Sequence, residues 1–121
     1  MKVASVDLMG LFRRTPTPTA ALSFPFVPRV MGERHHAKTL ERIARTGTTH
    51  TADLKREPGN TYDKNAIAVL INGKLCGYVP SEEATVLAPI MDAAKVSTVR
   101  YPCSLSGGTP EHPVWFVTLN R

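Results

Sequence analysis

Arg56-Glu57-Pro58-Gly59-Asn60-Thr61-Tyr62-Asp63-Lys64-Asn65-Ala66-Ile67 is a polar, turn-rich segment that runs straight into an apolar stretch, residues 66–71. Pro58 presets φ, while Gly59 and Asn60 accept the left-handed backbone that other residues resist, so the chain turns here and a strand ends near Arg56. Residues 66–71 are apolar on both alternating faces, which predicts a central strand covered on both sides. Asn72-Gly73 follows and residues 74–79 resume the β pattern, so the pair reads as a type I′ hairpin loop. Such a loop fixes register. It pairs Ile71 with Lys74, Val69 with Cys76 and Ile67 with Tyr78 on one face, and Leu70 with Leu75 on the other.

On that register Tyr62-Asp63-Lys64 and Tyr78-Val79-Pro80 lie at the same end of the hairpin. Two aromatic rings, a carboxylate and an ammonium converge there, a set that can stack a base, accept a hydroxyl hydrogen bond and attract a phosphate. The plainer account is that Asp63 and Asn65 bond their own turn backbone while Tyr62 caps a core edge, and turn chemistry explains these residue types cheaply.

Outward from this centre, residues 1–23 read as a flexible N-terminal segment that closes on the extended linker Thr15-Pro16-Thr17-Pro18-Thr19, and residues 24–121 as the folded domain. Residues 29–33 read as a first strand. Leu40, Ile43 and Ala44 share one helical face that stops at Gly47, and residues 50–56 alternate toward the central turn. Arg42 and Arg45 near that stop suit the C-terminal end of the helix dipole and need no functional explanation. After the hairpin, Ser81 reads as an N-cap ahead of Glu82 and Glu83, and Ala84, Leu87, Ala88 and Met91 recur at helical spacing. Pro89 should break that helix into two pieces. Residues 99–105 and 114–119 alternate as strands, joined through Gly107-Gly108-Thr109-Pro110, and alternation with Val117 and Leu119 places Trp115, the sole tryptophan, in the core. The fold class expected is mainly β with two short helices (α+β), built as a small, partly open six-stranded β-barrel.

The 121 residues suit one domain, and a 42% hydrophobic content is that of a folded chain. A formal net charge of +5 tilts the expected partners toward polyanions. Cys76 and Cys103 fall inside strand patterns without metal-type spacing and read as small buried thiols of a reducing compartment. No apolar run reaches membrane-spanning length, and the first 12 residues, interrupted by Asp7, make no secretory signal, so the expected location is cytoplasmic.

Arg56-Glu57-Pro58, Asn60, residues 62–67 and Gly77-Tyr78-Val79-Pro80-Ser81-Glu82 together resemble the HIRAN domain, a module of Snf2-type remodellers and of stand-alone prokaryotic proteins. The resemblance extends upstream to residues 30–36 and downstream to residues 87–92. It implies an OB-like barrel that captures the 3′ end of single-stranded DNA. By position it implies that Tyr62 stacks on the terminal base, Asp63 accepts from the 3′-hydroxyl and Arg34 holds phosphate. A carboxylate there would repel a 3′-phosphate. The chain departs from the family pattern in carrying His35-His36 where aromatic residues follow the motif arginine, Tyr78 in place of a histidine and Ser81 in place of a lysine. A histidine ring can still stack, or pair with phosphate when protonated, and Lys64 or Lys38 can replace a lost phosphate contact.

The resulting expectation is a non-catalytic, monomeric module without cofactor that binds single-stranded DNA 3′ ends in repair or replication-fork processing, beside a helicase or nuclease. A second reading is a protein-interaction module that docks a larger DNA-processing enzyme through residues 3–14. A third, a metal-dependent hydrolase using His35, His36 and Asp63, is weaker, because adjacent histidines point apart on a strand or a helix and no second carboxylate cluster accompanies them.

Overall fold

The structure, a computed structural model, describes Thr19, Ala20 and residues 22–121. The proposed docking segment, residues 3–14, lies outside the described residues. In chain order the elements are β1 (Thr19–Ala20), a 3₁₀ turn (Glu33–His36), α1 (Ala37–Ala44), β2 (Thr49–Arg56), β3 (Ile67–Ile71), β4 (Lys74–Tyr78), α2 (Ser81–Ala94), β5 (Thr98–Ser106) and β6 (Phe116–Leu119).

β2 is the centre of the sheet, antiparallel to β3 along 52–56 and to β5 along 49–55. β4 continues from β3, and β6 pairs with the second half of β5. These five strands make one curled antiparallel sheet, a half-barrel. The two-residue β1 lies parallel against Thr98 and Val99, on the β5 edge that β6 uses further along. The core that the curl encloses is led by Leu40, Leu54, Ile67, Ile71, Leu87 and Met91, all fully buried. β3 is buried on both faces, as its unbroken apolar run requires.

Several expectations are corrected. Residues 29–33 are not a strand: Met31 alone exchanges backbone bonds with Tyr78 (2.8 and 2.9 Å). Gly32 then takes φ 83°, which turns the chain out of extended geometry and into the 3₁₀ turn. Thr19–Ala20, assigned to the linker and its surroundings, contributes the short β1 instead.

The hairpin is right at its tip and shifted at its base. Asn72 and Gly73 have φ of 53° and 76°, the signature of a type I′ turn, and Ile71 faces Lys74 while Leu70 faces Leu75. Beyond that a bulge intervenes, so that Val69 pairs with Gly77 and Ala68 with Tyr78, leaving Cys76 as the extra residue. The cause lies outside the hairpin: Gly77 is crossed by the Met31 backbone so closely that a Cβ would collide with the Met31 carbonyl. The bulge delivers the one residue without a side chain to that crossing.

α2 runs unbroken through Pro89. The proline sits on the solvent face, while Ala84, Leu87, Ala88 and Met91 on the opposite face are fully buried, so packing outweighs the one backbone bond lost. Ser81 is its first helical residue and Pro80 the cap, with no side-chain cap bond. Arg29 braces this end instead, reaching Glu83 from Nε (2.7 Å) and Glu82 from Nη2 (3.0 Å).

α2 ends in a Schellman motif, Val96 N–H bonding Met91 O (2.9 Å) and Lys95 N–H bonding Asp92 O (3.1 Å), with Lys95 left-handed at φ 56°. A side chain at that position is strained. Lys95→Gly is therefore expected to raise stability by about 1 kcal/mol, read as a higher urea midpoint at unchanged slope.

Both cysteines are free and buried, and burial pushes the Cys76 thiol up to about 11 and the Cys103 thiol upward as well. Val117 and Leu119 are buried as the alternation predicts, whereas Trp115 is only half-buried, its indole N–H donating to Glu41 Oε1 (3.0 Å). No helix among the described residues is long and apolar enough to cross a membrane.

Candidate functional site

The loop between β2 and β3 is built by its own polar side chains. Asn60 Oδ1 accepts the backbone N–H groups of Tyr62 (2.9 Å) and Asp63 (3.1 Å), and Asn60 Nδ2 donates to Glu57 Oε1 (3.1 Å). Asp63 Oδ1 accepts Asn65 N–H (2.9 Å), the turn bond that the plainer account of Asp63 requires. At the loop's exit, Arg56 reaches inward from the end of β2. Its Nη1 donates to the carbonyls of Lys64 and Ala66 (3.0 Å each), while Nε and Nη2 grip Asp92 of α2 at 2.9 and 3.0 Å. The hydrogen bond from Arg56 holds the Asp92 carboxyl below its ordinary value.

This scaffolding presents Tyr62 rather than burying it: the ring is 97% exposed. Beneath it lies a groove of about 640 Å³ lined by Tyr62, Asp63, Tyr78, Val79 and Ser81 together with residues 59–61. Tyr78 is half-buried, and its hydroxyl donates to Glu57 Oε1 (2.8 Å). Burial, and then this bond to Glu57, raise its ionisation above the usual tyrosine range. Asp63 keeps Oδ2 without a partner among the described residues. Ser81 brings the first turn of α2 to the groove; Glu83 and Ala84 N–H bond Pro80 O (3.0 and 2.8 Å), which leaves those of Ser81 and Glu82 without an internal acceptor, in a turn that also carries the Glu82 and Glu83 carboxylates.

The groove can therefore offer a free ring face, a second ring fixed by its hydroxyl, a carboxylate oxygen open to a donor, and the Ser81 and Glu82 N–H groups at the start of α2. Arg34 and His35 lie elsewhere. They line a second groove of about 550 Å³ with Val30, Met31, Val114 and Phe116; Met31 of this groove is bridged through its backbone to Tyr78 of the first. His36, half-buried at the end of the 3₁₀ turn, lines neither groove, and neither does the side chain of exposed Lys64, whose carbonyl Arg56 holds. Lys38 stands on α1 beside Arg42 and Arg45. Of the residues singled out in the sequence, the structure brings Tyr62, Asp63 and Tyr78 together. It leaves Arg34 and His35 as a neighbouring pair, separated from Asp63. Among the described residues, no three His, Cys, Asp or Glu side chains gather as metal ligands would.

Sequence reasoning missed Arg56 and Glu57 as the residues that hold the loop. The signal was present for Arg56: it shares the inward parity of Ala52 and Leu54 in β2, and a charge at an inward position must find partners.

The profile of the HIRAN domain matches residues 30–106. The chain belongs to the HIRAN domain family. The matched span includes the Tyr62–Asp63 loop, Tyr78 and the Arg34–His36 turn, and it ends before β6. Over 40 residues the chain is 58% identical to the helicase-like transcription factor of Oryctolagus cuniculus, an alignment covering 32% of this chain and 4% of that protein. No solved structure matches it significantly. The HIRAN domain described here thus corresponds to a small part of its much longer relative.

Proposed function

We propose that this HIRAN domain is a non-catalytic DNA-binding module that captures the 3′ end of single-stranded DNA in the Tyr62–Asp63 groove. The carrying observation is the ring of Tyr62, 97% exposed beside a carboxylate with one oxygen uncommitted. An aromatic ring held out of the core by a hydrogen-bonded loop is a platform for an unstacked base, and such stacking contributes about 1–3 kcal/mol per base. Asp63 Oδ2 would accept the terminal 3′-hydroxyl, and the same negative charge would exclude a 3′-phosphate or a continuing phosphodiester. The N–H groups at the start of α2, and Arg34 across the Met31–Tyr78 pair, are the candidates for the nearest phosphates.

The curled sheet suits the OB-like architecture, in which single strands lie along a barrel face. Membership of the HIRAN family, and the helicase-like relative, support a role beside a separate motor in repair or replication-fork processing.

Fluorescence anisotropy with labelled oligonucleotides tests the reading. A free 3′-hydroxyl on a single strand should bind at least about tenfold more tightly than a 3′-phosphate or a blunt duplex, the value of one charge-assisted hydrogen bond. Equal binding to all three, weakening together as salt rises, would leave only a basic surface and end the proposal.

A further inference from the structure

α1 carries a stripe of cations that the groove does not use. Lys38 and Arg42 are one helical repeat apart, Arg45 follows at the helix end, and the three surround one shallow surface depression. Arg42 also meets Lys74 of the β3–β4 hairpin across a second depression, which extends the positive surface beyond the helix. All four side chains belong to exposed residues, and none makes an ion pair among the described residues, where the ion pairs belong to Arg29, Arg56 and Arg100.

A solvated helix face usually mixes both signs. Here a single acid, Glu41, lines the same depression, its Oε1 accepting the indole N–H of Trp115, so three cations stand around one carboxylate. Arg42 and Arg45 suit the negative end of the helix dipole, but Lys38 does not: it sits in the first turn, where the dipole disfavours a cation. The stripe also begins where the second groove ends, because Arg34 and His35 occupy the turn that leads directly into α1.

We propose that the outer face of α1 is a phosphate track that receives the DNA strand on the 5′ side of the captured end. The proposal rests on end capture in the Tyr62–Asp63 groove and adds where the rest of the strand goes. With a rise of about 1.5 Å per residue, Lys38 and Arg42 are about 6 Å apart along the helix, so successive backbone charges meet successive cations without any base being read. The track gives affinity that grows with strand length, while the groove supplies the preference for an end.

The test pairs Lys38→Gln/Arg42→Gln/Arg45→Gln with the unaltered chain, on single strands of about three and about twelve nucleotides, each ending in a 3′-hydroxyl. For the longer strand the dependence of log affinity on log salt should become shallower by about 2, because each lost phosphate contact removes about 0.7 from the slope, and affinity at low salt should fall at least about tenfold. The shorter strand should bind the variant and the unaltered chain alike, which also shows that the variant is folded. Unchanged affinity and slope for the longer strand would overturn the track. Equal loss for both lengths would overturn it too, since the cations would then act on the groove itself. If neither strand prefers its hydroxyl end over a 3′-phosphate in the unaltered chain, end capture fails; a length-dependent effect of the substitutions would still register separately.

Discussion

Arg56→Met is expected to lower the free energy of unfolding by about 3 kcal/mol, measured in urea near neutral pH. The guanidinium is buried, and it supplies the donors for the carbonyls of Lys64 and Ala66, of which the bond to Ala66 is itself buried. Methionine fills much of the volume but donates nothing, so two acceptors lose charged partners where water has little access. Asp92 contributes differently. Its side chain is 57% exposed and can hydrate when released, so Asp92→Asn should cost no more than about 1 kcal/mol. The pH dependence separates the two effects. Arg56 lowers the Asp92 carboxyl in the fold, so the ion pair's contribution is fully present above the unfolded carboxyl value, about 3.9, and disappears as pH falls through the lower folded value. Both substitutions should flatten that acid limb, and only Arg56→Met should also lower stability at neutral pH by the larger amount. If Arg56→Met matched the unaltered chain at both pH values, the clamp would not be holding the loop.

What could be read from the sequence was what local chemistry decides. Asn72-Gly73 dictates its own turn and the two pairs beside it; the chain also bends at Pro58-Gly59-Asn60, closed by Asn60 N–H on Glu57 O, although neither Gly59 nor Asn60 takes the left-handed backbone expected of them. The bulge at Cys76 was not legible, because its cause is the backbone of Met31, which is remote in sequence and comes against Gly77 only in the folded chain. The same holds for Pro89: propensity predicts a break, and the burial of Leu87, Ala88 and Met91 overrides it.

The candidate groove was partly legible for the same reason. Tyr62 and Asp63 belong to one turn, and Tyr78 reaches them because both ends of a hairpin must meet, even though it stands opposite Ala68 and not Ile67. Arg34 and His35 could not be placed by local rules. Their position depends on the left-handed Gly32 and on β6, whose Phe116 faces them from the far end of the chain.

Asp63→Asn is the substitution expected to change function most while changing the fold least. Asparagine keeps an oxygen to accept Asn65 N–H, so the turn bond at 2.9 Å survives, and thermal stability should remain within about 0.5 kcal/mol of the unaltered chain. The negative charge is lost. A hydrogen bond from a 3′-hydroxyl to a carboxylate contributes about 1.5–3 kcal/mol, so affinity for a free 3′ end should fall about tenfold to a hundredfold. In the proposed end capture, removing the charge also removes repulsion toward a terminal phosphate, so a 3′-phosphorylated strand should bind Asp63→Asn as tightly as, or more tightly than, it binds the unaltered chain. These two changes in opposite directions are what a purely structural Asp63 cannot produce. A residue that only closes the turn would leave both ends unaffected in the asparagine variant and weaken both together in Asp63→Ala. Anisotropy titrations of the two ends against the two variants decide between them.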